Sequence, residues 1–111
     1  MATLEHYRQI IKQTLSRQAE FSPSHGQIET IPVFDEQTDN YRVVDVGWDQ
    51  PGRVHAVILH LALRNGKVWI EVDGIEEGIT QELLAAGIPK QDIVLAFYRP
   101  ERRKLTEFAV A

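Results

Sequence analysis

Arg53-Val54-His55-Ala56-Val57-Ile58-Leu59-His60-Leu61-Ala62-Leu63, then Arg64-Asn65-Gly66-Lys67, then Val68-Trp69-Ile70-Glu71-Val72, is the stretch that decides the fold. Alternation divides the first run between two faces. Val54, Ala56, Ile58 and Ala62 lie on one, and Val57, Leu59, Leu61 and Leu63 on the other. Both faces are apolar, the pattern of a central strand covered on each side. Asn65-Gly66 is the strongest short hairpin signal. Residues 68–72 return as an alternating strand, with Val68, Ile70 and Val72 facing one way and Trp69 and Glu71 the other.

Upstream, residues 41–48 are rich in aromatic and β-branched side chains and read as a strand. Asp49-Gln50-Pro51-Gly52 joins it tightly to the next, with Asp49 bonding to its own turn. Residues 28–34 form another strand. Pro32 cannot donate to a ladder, so this strand belongs at an edge or at a bulge. Residues 35–40 are a polar turn. Residues 3–20 read as an amphipathic helix with Leu4, Tyr7, Ile11 and Leu15 on one face, Ile10 beside them, and Thr3 as N-cap. Ser22, Pro23, Ser24, His25 and Gly26 form a breaker loop.

Downstream, residues 80–86 are a short helix closed by Gly87 and Pro89. Residues 91–98 read as a short helix or helical turn, with a strand as the alternative. The chain is thus expected to be one α+β domain over residues 1–111. An N-terminal helix packs on a four-stranded antiparallel meander, followed by short C-terminal helices. The second apolar face of the central strand needs a cover, from the C-terminal segment or from a second copy of the chain.

The chain has 111 residues and no cysteine. Disulfides, thiolate zinc sites and a cysteine nucleophile are therefore excluded. The first residues lack the pattern of a signal peptide, and no apolar stretch is long enough to span a membrane. A cytoplasmic location is expected. The 16 acidic and 12 basic side chains give a net charge of −4, which argues against a protein whose affinity comes mainly from DNA phosphates.

The histidines show no ligand spacing. His55 and His60 are five apart and point to opposite faces of a regular strand, while His6 and His25 fall in other elements. No metal and no cofactor is expected. Among the carboxylates, Asp45, Asp49, Glu71 and Asp73 come from adjacent strands or their turns, so that two could converge, but no positioned nucleophile or base accompanies them. No catalytic residue is assigned. The Gly74-Ile75-Glu76-Glu77-Gly78 loop is too acidic to hold phosphate. Arg99, Arg102, Arg103 and Lys104 form a basic cluster, read as a contact for nucleic acid or an acidic partner, against a solvated surface segment. Trp48 and Trp69 are candidate interface anchors.

Taken together, these residues resemble the XisI family, named for the controlling factor of an excised DNA element in cyanobacteria. The matching stretches begin with Leu4-Glu5-His6-Tyr7-Arg8-Gln9-Ile10-Ile11 and Asp39-Asn40-Tyr41, and continue with Val46-Gly47-Trp48-Asp49, Arg53-Val54-His55 and Leu59-His60. Then follow Gly66-Lys67-Val68-Trp69-Ile70, Asp73-Gly74-Ile75-Glu76, Gly87-Ile88-Pro89-Lys90, Asp92-Ile93-Val94-Leu95 and Thr106-Glu107-Phe108-Ala109-Val110. The resemblance implies a non-catalytic accessory role, in which an XisH-like partner and a recombinase act on DNA and the recombinase performs strand exchange. It supplies no catalytic residues. The alternative is a small-molecule-binding or hydrolytic domain with a pocket lined by Asp45, His55 and Glu71. A symmetric homodimer is expected in either case.

Overall fold

The computed structural model describes residues 2–20 and 27–111. The side chain of Thr3 and residues 22–26, the expected breaker loop with His25, lie outside the described residues. Helix α1 (Ala2–Glu20) is followed by strands β1 (Gln27–Asp35), β2 (Asn40–Trp48), β3 (Arg53–Arg64) and β4 (Lys67–Asp73). Helix α2 (Thr80–Ala85), a 3-10 turn (Lys90–Asp92), strand β5 (Ile93–Leu95) and helix α3 (Pro100–Arg103) complete the chain.

The sheet has five strands in the order β1-β2-β3-β4-β5. The first four pair antiparallel through short turns, as the sequence predicts. The β3–β4 hairpin turns through Asn65 and Gly66, both at positive φ, the geometry that favours Asn-Gly. Asp49 Oδ1 accepts a bond from the Gly52 amide at 3.1 Å, as expected of that turn. Pro32 lies on β1, which pairs only with β2 at the sheet edge.

The four-stranded meander needs one correction. Residues 93–95 form a fifth strand, parallel to β4, so the sheet is mixed. All three of its residues are buried. Three consecutive apolar residues have no measurable period, and their pairing partner lies on the far side of α2. Helix α2 closes with a Schellman pattern: Gly87 N–H donates to Leu84 O at 3.0 Å, and Ile88 N–H to Leu83 O at 3.1 Å. Gly87 takes a φ of +105°, which lets the chain reverse there.

Helix α1 packs on one sheet face. Its Tyr7, Ile10, Ile11 and Leu15 are buried against Tyr41, Val43, Leu59, Leu61, Leu63, Val68, Ile70, Ile93 and Leu95. Each such side chain contributes about 1.5–3 kcal/mol by leaving water. Leu4, expected on the same helical face, is 40% exposed.

Two β-bulges change which residues share a face. The β2–β3 register shifts between Val43/Val44, so that Val43 pairs with Leu59 but Val44 pairs with Val57. Ile58 is therefore an extra residue, and it inverts the alternation along β3. Val57 joins the face remote from α1, whereas Leu59, Leu61 and Leu63 stay in the core. His55 and His60 consequently lie on the same face, not on opposite ones. A second irregularity between His60/Leu61 leaves Glu71 extra on β4. Val72 thereby turns to the remote face, away from Val68 and Ile70. Regular alternation read from sequence cannot anticipate an inserted residue.

Candidate partner-binding surface

The remote sheet face is covered at one end only. There Ala62 and Val94 are buried, and two guanidinium groups lie over the Trp69 ring, Arg64 at 5.0 Å and Arg103 at 5.5 Å from its centroid. The C-terminal segment supplies this part of the cover. Farther along, the face is open. One row across the sheet runs Val33, Arg42, His60, Val72, and the next runs Ile31, Val44, Val57. Val33 is 43%, Val57 42% and Val72 36% exposed, and Trp48 beyond them is 55% exposed. The bulges produce this patch, because they carry Val57 and Val72 out of the core pattern. Exposed apolar side chains gathered on one face make it a candidate association surface.

The candidate pocket residues are not brought together. Asp45 lies on the α1 side, where Thr30 Oγ1 donates to its Oδ1 at 2.7 Å. His55, opposite Val46, lies on the remote face. Glu71 accepts a bond from Arg64 Nη2 at 2.8 Å. It sits beside His60 and Leu61, about 17–20 Å along β3 from His55 at the usual strand rise. Among the described residues no group of three or more His, Asp or Glu could hold a metal ion. A cleft of about 290 Å³ lies between α1 and α2, lined by residues that include Gln13, Arg17 and Glu82. None of Asp45, His55 and Glu71 lines it.

The basic cluster divides. Arg103 is a structural staple: its Nε donates to Tyr98 O at 3.0 Å, and its Nη atoms donate to Val110 O and Ala96 O, both at 3.2 Å. Arg102 lies over the Tyr98 ring at 5.2 Å. Arg99, Arg102 and Lys104 remain exposed, near Phe97 and Leu105, which are also exposed.

The most developed polar network is one that charge patterning alone does not reveal. Arg8 Nε and Nη2 donate to the two Asp39 carboxylate oxygens at 2.9 and 3.1 Å, and the Tyr41 hydroxyl donates to Asp39 Oδ1 at 2.7 Å. The Arg8 guanidinium, then the Tyr41 hydroxyl, holds Asp39 below the usual carboxylate range. Burial, then the bond to Asp39, pushes the Tyr41 hydroxyl up. Tyr7 donates to Asp92 Oδ2, and burial followed by that bond raises it to about 12. His60 Nε2 lies 2.9 Å from Asn40 Oδ1, and burial, with the Arg42 charge next, lowers its pKa. The Arg8 and Tyr7 bonds fasten α1 to the β1–β2 turn and to the 3-10 turn before β5, and the His60 contact joins β3 to the start of β2.

The sign of the Asp39 contribution follows from linkage. Its folded pKa is depressed, so its stabilisation is complete above the ordinary carboxylate value of about 3.9 and is lost as pH falls through the lower folded value. Asp39→Asn should therefore lower the urea midpoint at neutral pH and flatten the acid limb of stability. Denaturation from pH 7 down to pH 2 checks this. Profiles that run parallel for the two proteins would refute it.

Residues 1–110 of the 111 match the XisI protein family. The chain belongs to the XisI family. Two solved structures are similar to it over nearly their full length. A XisI-like protein from Anabaena variabilis ATCC 29413 has 28% identity and a TM-score of 0.91, covering 97% of this chain and 99% of the other. The fdxN element excision controlling factor XisI from the same organism has 42% identity and a TM-score of 0.85, covering 98% and 99%. No curated protein matches the chain. The XisI-like stretches singled out in the sequence include the fastenings described above: Tyr7, Arg8, Asp39, Asn40, Tyr41, His60 and Asp92.

Proposed function

We propose that this XisI-family chain is a non-catalytic accessory factor for excision of a DNA element, acting by binding an XisH-like protein. The observation that carries this reading is the contrast between its two kinds of surface residue. The polar side chains proposed for chemistry are engaged in structural bonds or dispersed over two faces, while an apolar sheet face stands open. The similarity to an fdxN element excision controlling factor supports the process, and the open face supports binding as the mode of action. The occupant of the face is the XisH-like partner, seated on Val33, Val57 and Val72 with Trp48 at the rim. Arg99, Arg102 and Lys104 provide a secondary contact for DNA or for an acidic patch of that partner. The chain works as a homodimer in the cytoplasm; among the described residues no helix is long and apolar enough to cross a membrane.

Co-purification tests the reading. A tagged chain co-expressed with an XisH-like protein should retain it at low and moderate salt, because an apolar seam is little screened. The double substitution Val33→Arg and Val72→Arg should weaken retention at least tenfold, about 1.4 kcal/mol or more, with circular dichroism unchanged. Separate elution of the two wild-type proteins at both salt concentrations would sink the proposal. An electrophoretic shift with duplex DNA that persists when Arg99, Arg102 and Lys104 become alanine would remove the secondary contact.

A further inference from the structure

We infer that residues 53–57, the free edge of β3, pair antiparallel with the same residues of a second copy and join two sheets into one. This inference rests on the dimer reading above and locates its seam. The last β3–β4 pair is Leu59 with Asp73. Gly74 then donates to Ile58 O at 2.8 Å and the chain turns away. From Val57 back to Arg53, β3 pairs with β2 alone. Among the described residues, no backbone hydrogen bond reaches this stretch from the side that β4 leaves. Alternate amide and carbonyl groups there point outward, which is a template for another strand.

The two outer strands carry features that discourage pairing. On β1, Pro32 removes one donor and the exposed Glu29 adds charge. On the opposite side, β5 is only three residues long, and Ala109 bridges Val94 and donates to Ile93 O at 2.9 Å. Such devices ordinarily keep edges from pairing. Residues 53–57 have no proline, no lysine, no carboxylate and no bulge among them. Before Ile58 the side chains of β3 are exposed on both faces: Ala56 on the helix side, and Val57 and His55 on the other.

A second copy fits this edge better than an unrelated strand, because the segment is self-complementary. Antiparallel pairing over all five residues centres on His55. Val54 then lies opposite Ala56 of the second copy and Arg53 opposite its Val57. The two Arg53 side chains fall at opposite ends, about 14 Å apart at the usual rise, so like charges do not oppose each other. Arg53 is also occupied within its own chain, with Nη1 donating to Gly47 O at 3.3 Å and its guanidinium 5.5 Å from the Trp48 ring centroid.

The absence of cysteine in the chain allows a clean test by single-cysteine substitution. Residues directly opposite in an antiparallel pair have Cα atoms about 4.5–5.5 Å apart, inside the roughly 4.4–6.8 Å window of a disulfide. Under mild oxidation His55→Cys should form a covalent dimer at least tenfold faster than Gln37→Cys in the exposed β1–β2 turn or Val33→Cys on the open face. All three positions are exposed, so the fold is retained. Light scattering of the unmodified chain should give a dimer mass. A monomer mass at every concentration overturns both the dimer and this seam. A dimer mass with Val33→Cys crosslinking faster than His55→Cys, or with all three alike, overturns the seam and leaves the dimer standing.

Discussion

Leu61→Ala should cost about 2–5 kcal/mol of folding stability, the range for deleting a fully buried leucine side chain. Leu61 has no exposed surface. It pairs with Tyr41 on one side and Ile70 on the other, so the cavity would open at the centre of the sheet beneath α1. Neighbours there cannot collapse readily, because Tyr41 is fixed through Asp39 to Arg8. For a domain of this size each kcal/mol shifts Tm by roughly 4–8 °C, so a fall of about 8 °C or more is expected. The control is Val57→Ala, four residues away on the same strand and 42% exposed, which should change stability by less than about 1 kcal/mol. Calorimetry on both variants checks the contrast. Similar losses at the two positions would mean that Ile58 does not invert the strand and that Val57 belongs to the core.

Gly47→Ala should be nearly as damaging, by roughly 3 kcal/mol, through backbone strain and collision rather than a cavity. Gly47 has a φ of +152°. A Cβ built there would lie 1.9 Å from the Gln27 carbonyl oxygen and 2.9 Å from the Ile28 Cα. Those are main-chain atoms of the paired strand, so no rotamer change relieves the contact. The start of β1 would have to leave the sheet, breaking the pairs Gln27 with Trp48 and Ile28 with Gly47. Gly66→Ala separates strain from collision. Gly66 also has a positive φ, +75°, but nothing lies within 4 Å of its Cβ position, and its loss should be about 1–2 kcal/mol, the left-handed penalty alone. Urea denaturation gives the two values, and amide exchange should show faster opening at Ile28 and Thr30 in the Gly47 variant. Equal losses at both glycines would show that the close approach to Gln27 does not constrain the fold.

The glycine and the bulge illustrate what a family resemblance contained and what it did not. Gly47, Asp39, Tyr41, Arg8 and Asp92 all lie in the stretches that resemble the XisI family. In the structure each has an architectural reason: a close strand approach, a clasp on α1, or a tie to the C-terminal segment. None of them belongs to a reactive constellation among the described residues. The proposed docking residues Val33, Val57 and Val72 lie outside those quoted stretches, as does the extra residue Ile58 that exposes Val57.

Local chemistry decided most of the elements. Alternation and turn residues place β1 to β4, the Asn65-Gly66 turn and the Gly87 cap, because each of these depends on neighbours within a few positions. The C-terminal basic run was legible as charge, yet its partition was not: Arg103 is consumed by carbonyls of residues 96, 98 and 110, which only the folded tail assembles. The parallel strand β5 likewise depends on a partner across α2. The opening stretch makes the division plainest. Its sequence by itself determined a long, doubly apolar strand followed by a tight hairpin. Only tertiary structure decided that the strand has one extra residue against β2, and β4 one extra against it. A side-chain period of two leaves no local mark of such an insertion, so register against neighbouring strands alone sends Leu59 and Leu61 into the core and turns Val57 and Val72 outward.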